Sequence, residues 1–127
     1  MCLGGKLMNE EVINKEREYR KLFLHQKRWA KHWTTSTAHR AHSSTMFMIE
    51  PAKRTLKIIQ KLENDKVSYF ERVNKLIEFF YEMNQKEEQV QNRMYNGYYF
   101  ECYQYLKKET NKVENGEKAT IYKMPRA

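Results

Sequence analysis

Four histidines could bind a metal, and all of them lie in the first third of the chain: His25, His32, His39 and His42. His25 and His32 are about 10.5 Å apart along a helix, whereas zinc is held at about 2 Å from each ligand. His39 and His42 are closer in spacing but supply only half of a tetrahedral site. The sequence contains neither Glu-x-x-His nor His-Glu-x-x-His. We therefore expect no metal site, and interpret the histidines as partly charged groups on a basic surface.

Residue types that could support catalysis are present without the arrangement that catalysis requires. Cys102 has no histidine near it in sequence, and the serines and threonines lack a glycine-rich elbow. There is no P-loop and no G-x-G-x-x-G motif for a nucleotide cofactor. Glu87 and Glu88 are adjacent, so on a helix they point about 100° apart and face solvent. We expect no catalytic residues and no cofactor, and hence a protein that is not an enzyme.

The basic residues of the chain are concentrated in one segment. The net charge is +8, and the stretch from Tyr19 to Lys61 contains ten Lys or Arg and one acid, Glu50. From Leu62 to the end, eleven basic residues are balanced by eleven acids. A localised basic field attracts polyanions, which include nucleic acid, acidic protein surfaces and anionic lipid headgroups. A solvated helix face that only aids solubility is the alternative interpretation of this pattern.

Aromatic residues are interleaved with these cations, and Trp29 and Trp33 are the largest of them. Cations beside rings that can stack on bases are typical of nucleic-acid binders. The same spacing of four residues is also expected for a core-facing pair, and core is the preferred interpretation of Trp33. No helix-turn-helix, zinc-finger or RNP pattern favours nucleic acid over protein.

These observations predict a non-enzymatic accessory or structural subunit that binds a larger macromolecular assembly through its basic, aromatic-containing N-terminal half. The expected partner is a larger protein assembly with an acidic or phosphate-bearing surface. The alternative is a small basic nucleic-acid-binding or regulatory protein, such as a virus or mobile element encodes. The predicted partner-binding residues come from the basic segment and from the far end of a long helix: Arg20, Lys21, His25, Arg28, Trp29, Lys31, His32, Arg40, Val90, Met94, Tyr98 and Tyr99.

The near absence of proline and glycine predicts that helices position these side chains. The expected fold is mainly α, an elongated helical hairpin or bundle of three to four helices with an extended C-terminal tail. It forms a single domain over residues 1–127. Its parts are a flexible start (1–8), a basic amphipathic helix (9–42), a short helix (51–64), a long aromatic-rich helix (68–112) with a break at 96–97 as the alternative, and an extended tail (113–127).

Local patterns set these boundaries. Asn9 is expected to be an N-cap, and Pro51 is expected in a first helical turn, where its missing N–H costs nothing. Ser68 and Glu71 match the capping box of a helix start. Residues 98–105 fit helical spacing, although their aromatic density is also typical of a strand, and we predict helix. The buried positions are predicted from apolar spacing: Val12, Tyr19, Leu22, Phe23, Ala30, Trp33, Leu56, Ile59, Leu62, Phe70, Val73, Ile77, Phe80 and Met83. Tyr99, Cys102 and Leu106 also fit the spacing of a helix.

Composition predicts a thin core. Charged residues make up 31% of the chain, and the mean hydropathy is −0.96. We therefore expect the isolated chain to be marginally stable or to self-associate. Two cysteines, Cys2 and Cys102, without C-x-x-C spacing predict no disulfide framework, which fits a reducing compartment. No signal peptide and no membrane span are apparent, so the expected location is intracellular, in the cytoplasm or the interior of an organelle.

One fragment, Glu18-Tyr-Arg-Lys-Leu-Phe23, resembles the Leu-Tyr-Arg motif of a family of small mitochondrial proteins. Members of that family are basic three-helix proteins that serve as accessory subunits or assembly factors and bind acyl carrier protein. The match covers about six residues, and Glu18 stands where the motif has Leu. The resemblance implies that Tyr19 and Arg20 are the motif positions in this chain.

Overall fold

The computed structural model describes residues 2–35, 46–90 and 97–123, with side chains for 10–35, 48–86 and 97–123. Within these ranges the chain forms four helices and no strand: α1 (Cys2–Thr34), α2 (Met46–Asn64), α3 (Tyr69–Val90) and α4 (Tyr98–Glu114). Helix α1 packs against each of the other three helices, and α3 packs against α4. The predicted, mainly α helical bundle is confirmed.

Helix α1 begins at Cys2, well before the predicted start. The predicted N-cap at Asn9 was therefore wrong, because Asn9 lies inside the helix. Strong helix formers such as Leu7 and Met8 carry the helix across this segment despite the adjacent glycines. At the other end, the hydroxyls of Thr34 and Thr35 donate to the carbonyls of Lys31 and His32, both at 2.9 Å. Residues 36–42 of the predicted helix lie outside the described residues.

Helix α2 also begins earlier than predicted, at Met46, which places Pro51 inside the helix and not in its first turn. The apolar run from Met46 to Ile49 therefore belongs to the helix. Pro51 donates no backbone hydrogen bond, but its carbonyl accepts one from the hydroxyl of buried Thr55 at 2.8 Å.

The start of helix α3 confirms the predicted cap. Ser68 Oγ accepts the backbone N–H of Glu71 at 3.2 Å. Two further backbone N–H groups at the start of α3 are capped by a side chain of another helix. The carboxylate of Glu16, on α1, accepts the N–H of Tyr69 at 3.1 Å and that of Phe70 at 2.8 Å. The positive end of the α3 dipole favours a carboxylate at this position.

The predicted long helix over 68–112 is two helices, α3 and α4. Gly97 lies outside α4, and residues 91–96, which include Met94, lie outside the described residues. A Cβ atom at Gly97 would lie 3.3 Å from the sulfur of Met48, so the chain passes close to α2 here. Residues 98–105 are helical, which confirms the prediction of helix over strand.

Most of the predicted apolar stripes form the core. Leu22, Phe23, Leu76, Phe80 and Leu106 are fully buried. Leu76 was not among the residues predicted to be buried. Two predicted core residues are exposed, Val12 at 57% and Phe70 at 49%. The core also contains Tyr19, Ala30, Ala52, Ile59, Leu62, Val73, Tyr98, Tyr99, Cys102 and Val113, with Trp33, Leu56, Ile77 and Met83 packed partly buried against it.

Residues 117–123, which we call the docked tail, fold back onto α1 and α4. Gly116 starts this return with a φ of +85°, a conformation that glycine adopts without strain. The N–H of Ala119 donates to Glu18 Oε1 at 2.9 Å, and the N–H of Thr120 donates to Glu109 Oε1 at 2.6 Å. Both glutamates are buried, so these two carboxylates hold the tail at fixed positions on two helices.

Candidate functional site

The first candidate surface is the basic face of α1, formed by six cations. At 100° per residue they lie within an arc of about 120°, and they extend over about 21 Å of the helix. Lys21 pairs with Glu18 at 2.9 Å, and Lys27 pairs with Glu63 of α2 at 2.7 Å. The other four make no ion pair with any described residue. The basic face consists of Arg17, Arg20, Lys21, Lys27, Arg28 and Lys31.

The structure places the predicted partner-binding residues of α1 in three different environments. Arg20, Lys21, Arg28 and Lys31 are exposed, as the prediction requires. Trp29 and His32 are half-buried. His25 is buried, with 6% of its surface exposed. Arg40 lies outside the described residues. Arg17 and Lys27 belong to the same face but were not among the predicted partner-binding residues, although their helical angles place them on it.

His25 is not the charged surface group that the sequence suggested. Its ring packs against Tyr105 of α4, with 4.8 Å between ring centroids, and lies parallel to Trp29 at 6.4 Å. Burial, together with the positive charge of Arg28, lowers the pKa of His25 to about 4. The imidazole is therefore neutral at pH 7 and adds no charge to the basic face.

Two of the predicted residues at the far end of the long helix, Tyr98 and Tyr99, are buried. Tyr98 and Tyr99 are 2% and 1% exposed, because α4 packs these residues against α3. Burial raises the pKa of Tyr98 well above its usual range. This placement does not support a partner-binding role for the two tyrosines. The side chains of Val90 and Met94 lie outside the described residues.

The second candidate surface is a cavity of about 320 Å³ between α1, α4 and the docked tail, which we call the aromatic cavity. Two of the residues that line it have a buried polar atom without a hydrogen-bond partner, His25 Nδ1 and Gln26 Oε1. Such atoms are rare in folded proteins, since a buried acceptor without a partner costs about 1–3 kcal/mol. The lining residues are His25, Gln26, Trp29, Glu101, Cys102, Tyr105, Tyr122 and Lys123.

The aromatic cavity brings Cys102 and His25 together, which the sequence could not show. A thiol beside an imidazole suggests a nucleophile and its base. However, burial raises the pKa of Cys102 well above its usual range, while that of His25 is lowered to about 4. No hydrogen bond connects these two described side chains. The thiol is thus protonated at neutral pH, so the environment opposes the thiolate that catalysis would need.

Neither a metal centre nor a membrane span is found in the described ranges. No group of three or more His, Cys, Asp or Glu side chains among them could hold an ion. His39 and His42 lie outside those ranges. None of the helices described is long and apolar enough to cross a membrane.

No protein-family model matches the chain, and no curated protein or solved structure matches it significantly. The six-residue resemblance to the Leu-Tyr-Arg family gains no support from these comparisons. In the structure its Tyr19 is a core residue whose hydroxyl donates to Glu114 at 2.5 Å, while Arg20 is exposed.

Proposed function

We propose that this chain is a non-enzymatic helical accessory subunit that docks onto a larger assembly through the basic face of α1. The observation that carries the proposal is a helix face with four exposed cations that make no ion pair with any described residue, on a helix whose opposite face is core. Burial of Leu22, Phe23 and Ala30 keeps the helix in place, so the cations keep a fixed spacing. A rigid array of this kind fits an acidic or phosphate-bearing surface.

The strength of this interaction comes from the array and not from any single residue. An exposed ion pair contributes only about 0.2–1 kcal/mol. Four unpaired cations, Arg17, Arg20, Arg28 and Lys31, would together contribute on the order of 1–4 kcal/mol and would mainly raise the association rate. Lys21 and Lys27 already have carboxylate partners, so they add less.

The test compares two charge reversals of equal size on different helices. One variant carries Arg28→Glu and Lys31→Glu, and the control carries Lys107→Glu and Lys108→Glu on the exposed side of α4. Complexes recovered from native lysate are quantified by mass spectrometry for both variants and for the wild type. The first variant should lose most of its principal partner, while the control keeps it. Equal recovery with both variants would refute the proposal.

Nucleic-acid binding is the second candidate function, because the basic face borders the aromatic cavity. Arg28 acts electrostatically on both His25 and Tyr105 of that cavity. If the four unpaired cations each contact a phosphate, the affinity for duplex DNA should fall by about 150-fold between 50 and 200 mM salt. For a single strand the corresponding loss is about 50-fold. A salt dependence well below these values would favour the protein partner.

A further inference from the structure

We propose that the groove that holds the docked tail is also an interface between two copies of this chain, in which the tail of each copy binds in the groove of the other. We call it the tail groove; it is formed by Glu18 of α1 and by Tyr105, Glu109 and Lys112 of α4. None of these residues belongs to the basic face, so the inference does not depend on the proposed function.

Thr120 is the residue of the docked tail with the most hydrogen bonds to the tail groove. Its N–H donates to Glu109 Oε1, its carbonyl accepts the Tyr105 hydroxyl, and its hydroxyl accepts Lys112 Nζ, each at 2.6 Å. The N–H of Ala119 donates to a carboxylate of α1 at 2.9 Å. Because all four partners are side chains of helices, the tail of a second copy can make the same four bonds.

The docked tail is held mainly by these hydrogen bonds and less by apolar contacts. Ala119 and Ile121 are partly buried against the core, and no residue from 117 to 123 is fully buried. The ring of Tyr122 contacts that of Tyr105, yet Tyr122 is 57% exposed. A segment with so little buried apolar surface opens at a lower free energy than the helices of the core. The tail can therefore leave the tail groove while the bundle stays folded.

A single tight turn joins the docked tail to α4. The N–H of Gly116 donates to the Val113 carbonyl at 3.0 Å, and that of Glu117 donates to the Lys112 carbonyl at 2.8 Å, which is the Schellman pattern. Apart from its chain neighbours, no described residue has an atom within 4 Å of the position that a Cβ at Gly116 would take. The turn is thus held by its own hydrogen bonds and not by packing on Gly116, so residues 115–117 are suited to act as a hinge.

A second copy is the occupant that fits, because it carries the segment that the tail groove already binds. The charges are complementary, since residues 117–123 contain two lysines and one glutamate whereas the groove has two carboxylates and one ammonium group. Exchange replaces each bond within a chain by the same bond between chains, as in other domain-swapped dimers. A tethered tail has an effective concentration in the mM range, so we expect exchange when the chain concentration approaches about 1 mM.

The experiment measures the molar mass of the purified full-length chain by size-exclusion chromatography with light scattering. The wild type should be monomeric at about 10 μM and should form a measurable fraction of dimer at about 1 mM. Gly116→Val places a β-branched residue at a φ of +85°, which strains the turn of the monomer but not an opened hinge. This variant should lower the dissociation constant of the dimer by at least about tenfold. The control, Glu117→Val, adds the same side chain where φ is not positive and should leave the constant unchanged.

Two further variants test whether the tail crosses between copies. Glu18→Ala removes an acceptor from the tail groove, and Ala119→Pro removes the matching donor from the tail. Each variant alone should form less dimer than the wild type at about 1 mM. In an equimolar mixture the intact tail of the first variant can bind the intact groove of the second, so a heterodimer should appear. Far-UV circular dichroism checks that both variants stay helical, and the Gly116→Val comparison does not depend on them.

Three results would overturn the proposal. The first is a Gly116→Val variant that remains monomeric at about 1 mM. The second is an equal dissociation constant for Gly116→Val and Glu117→Val. The third is a mixture of Glu18→Ala and Ala119→Pro chains that forms no more dimer than either variant alone, because any dimer would then use a surface other than the tail groove.

Discussion

Glu16 should contribute more to stability than its position on the surface of α1 suggests. Its carboxylate is the only described side chain that accepts both the Tyr69 and the Phe70 N–H groups. Replacing Glu16 with Ala leaves these two donors at the start of α3 without a partner from the protein. The start of α3 also contacts α1, because the rings of Tyr69 and Phe23 lie with their centroids 5.9 Å apart. Fraying of the first turn of α3 would therefore weaken its packing against α1.

The magnitude follows from the two bonds and their exposure. Loss of an N-cap costs about 0.5–2 kcal/mol, and the charge–dipole interaction adds about 0.3–1 kcal/mol. Water can replace the carboxylate at the exposed Phe70 N–H but less well at the part-buried Tyr69 N–H. We expect Glu16→Ala to lower the free energy of unfolding by about 1.5 kcal/mol. The Glu16→Gln variant keeps one acceptor oxygen and should lose less than half of that amount.

Urea unfolding followed by far-UV circular dichroism measures this effect. With an m value of about 1.5 kcal/mol/M, the midpoint of Glu16→Ala should fall by about 1 M at unchanged m. The control is Glu11→Ala on the same helix, because Glu11 is 71% exposed and pairs only with Lys15 at 3.7 Å. That control should shift the free energy of unfolding by less than about 0.5 kcal/mol. If the two variants have the same midpoint, the capping role of Glu16 is refuted.

Three further outcomes are expected. Although burial raises the pKa of Glu18, hydrogen bonds from Lys21 and the Ala119 N–H lower it overall, so Glu18 stabilises the fold above about pH 4.5. Glu18→Gln should be less stable than wild type at pH 7, with a difference that shrinks as the pH falls through the folded pKa; urea midpoints against pH test this. His25 affects stability at higher pH than Glu18 does. Its pKa is about 4 in the folded chain and ordinarily 6.5, so as the pH falls His25 is protonated in the unfolded chain before it is protonated in the folded chain. Wild type should therefore lose on the order of 2 kcal/mol between pH 7 and pH 5 relative to His25→Phe, and parallel profiles would contradict this. Leu76→Ala should cost about 3 kcal/mol in urea unfolding, since Leu76 is fully buried, while the exposed neighbour Lys75→Ala should cost less than about 0.5 kcal/mol.

The sequence predicted those features that depend on neighbours along one helix. Ile59 and Leu62 on α2 and Val73 and Phe80 on α3 were assigned to the core from their spacing, and all four are buried. The cap at Ser68 was likewise predictable, because donor and acceptor lie three residues apart. Helix starts were less predictable, since packing carried α1 and α2 beyond their local cap signals.

Features that depend on distant segments could not be predicted. His25 falls next to the basic face by helical angle, and only Tyr105, which comes from α4, shows that it is covered. Tyr98 and Tyr99 were expected to be exposed because they were placed on one long helix. The division of that helix allows α4 to pack against α3 and bury them. Glu16 and Glu18 accept backbone N–H groups far along the chain, and no local pattern marks such acceptors.

The docked tail has a consequence for the lifetime of the folded state. The bond from the Ala119 N–H to Glu18 joins residues 101 positions apart. Closing so large a loop carries a high entropic cost, so this contact is expected to form after the helices have paired. Bonds that are absent from the transition state alter the rate of unfolding and leave the rate of folding nearly unchanged. We therefore expect the buried carboxylate of Glu18 to affect how long the bundle persists more than how quickly it forms.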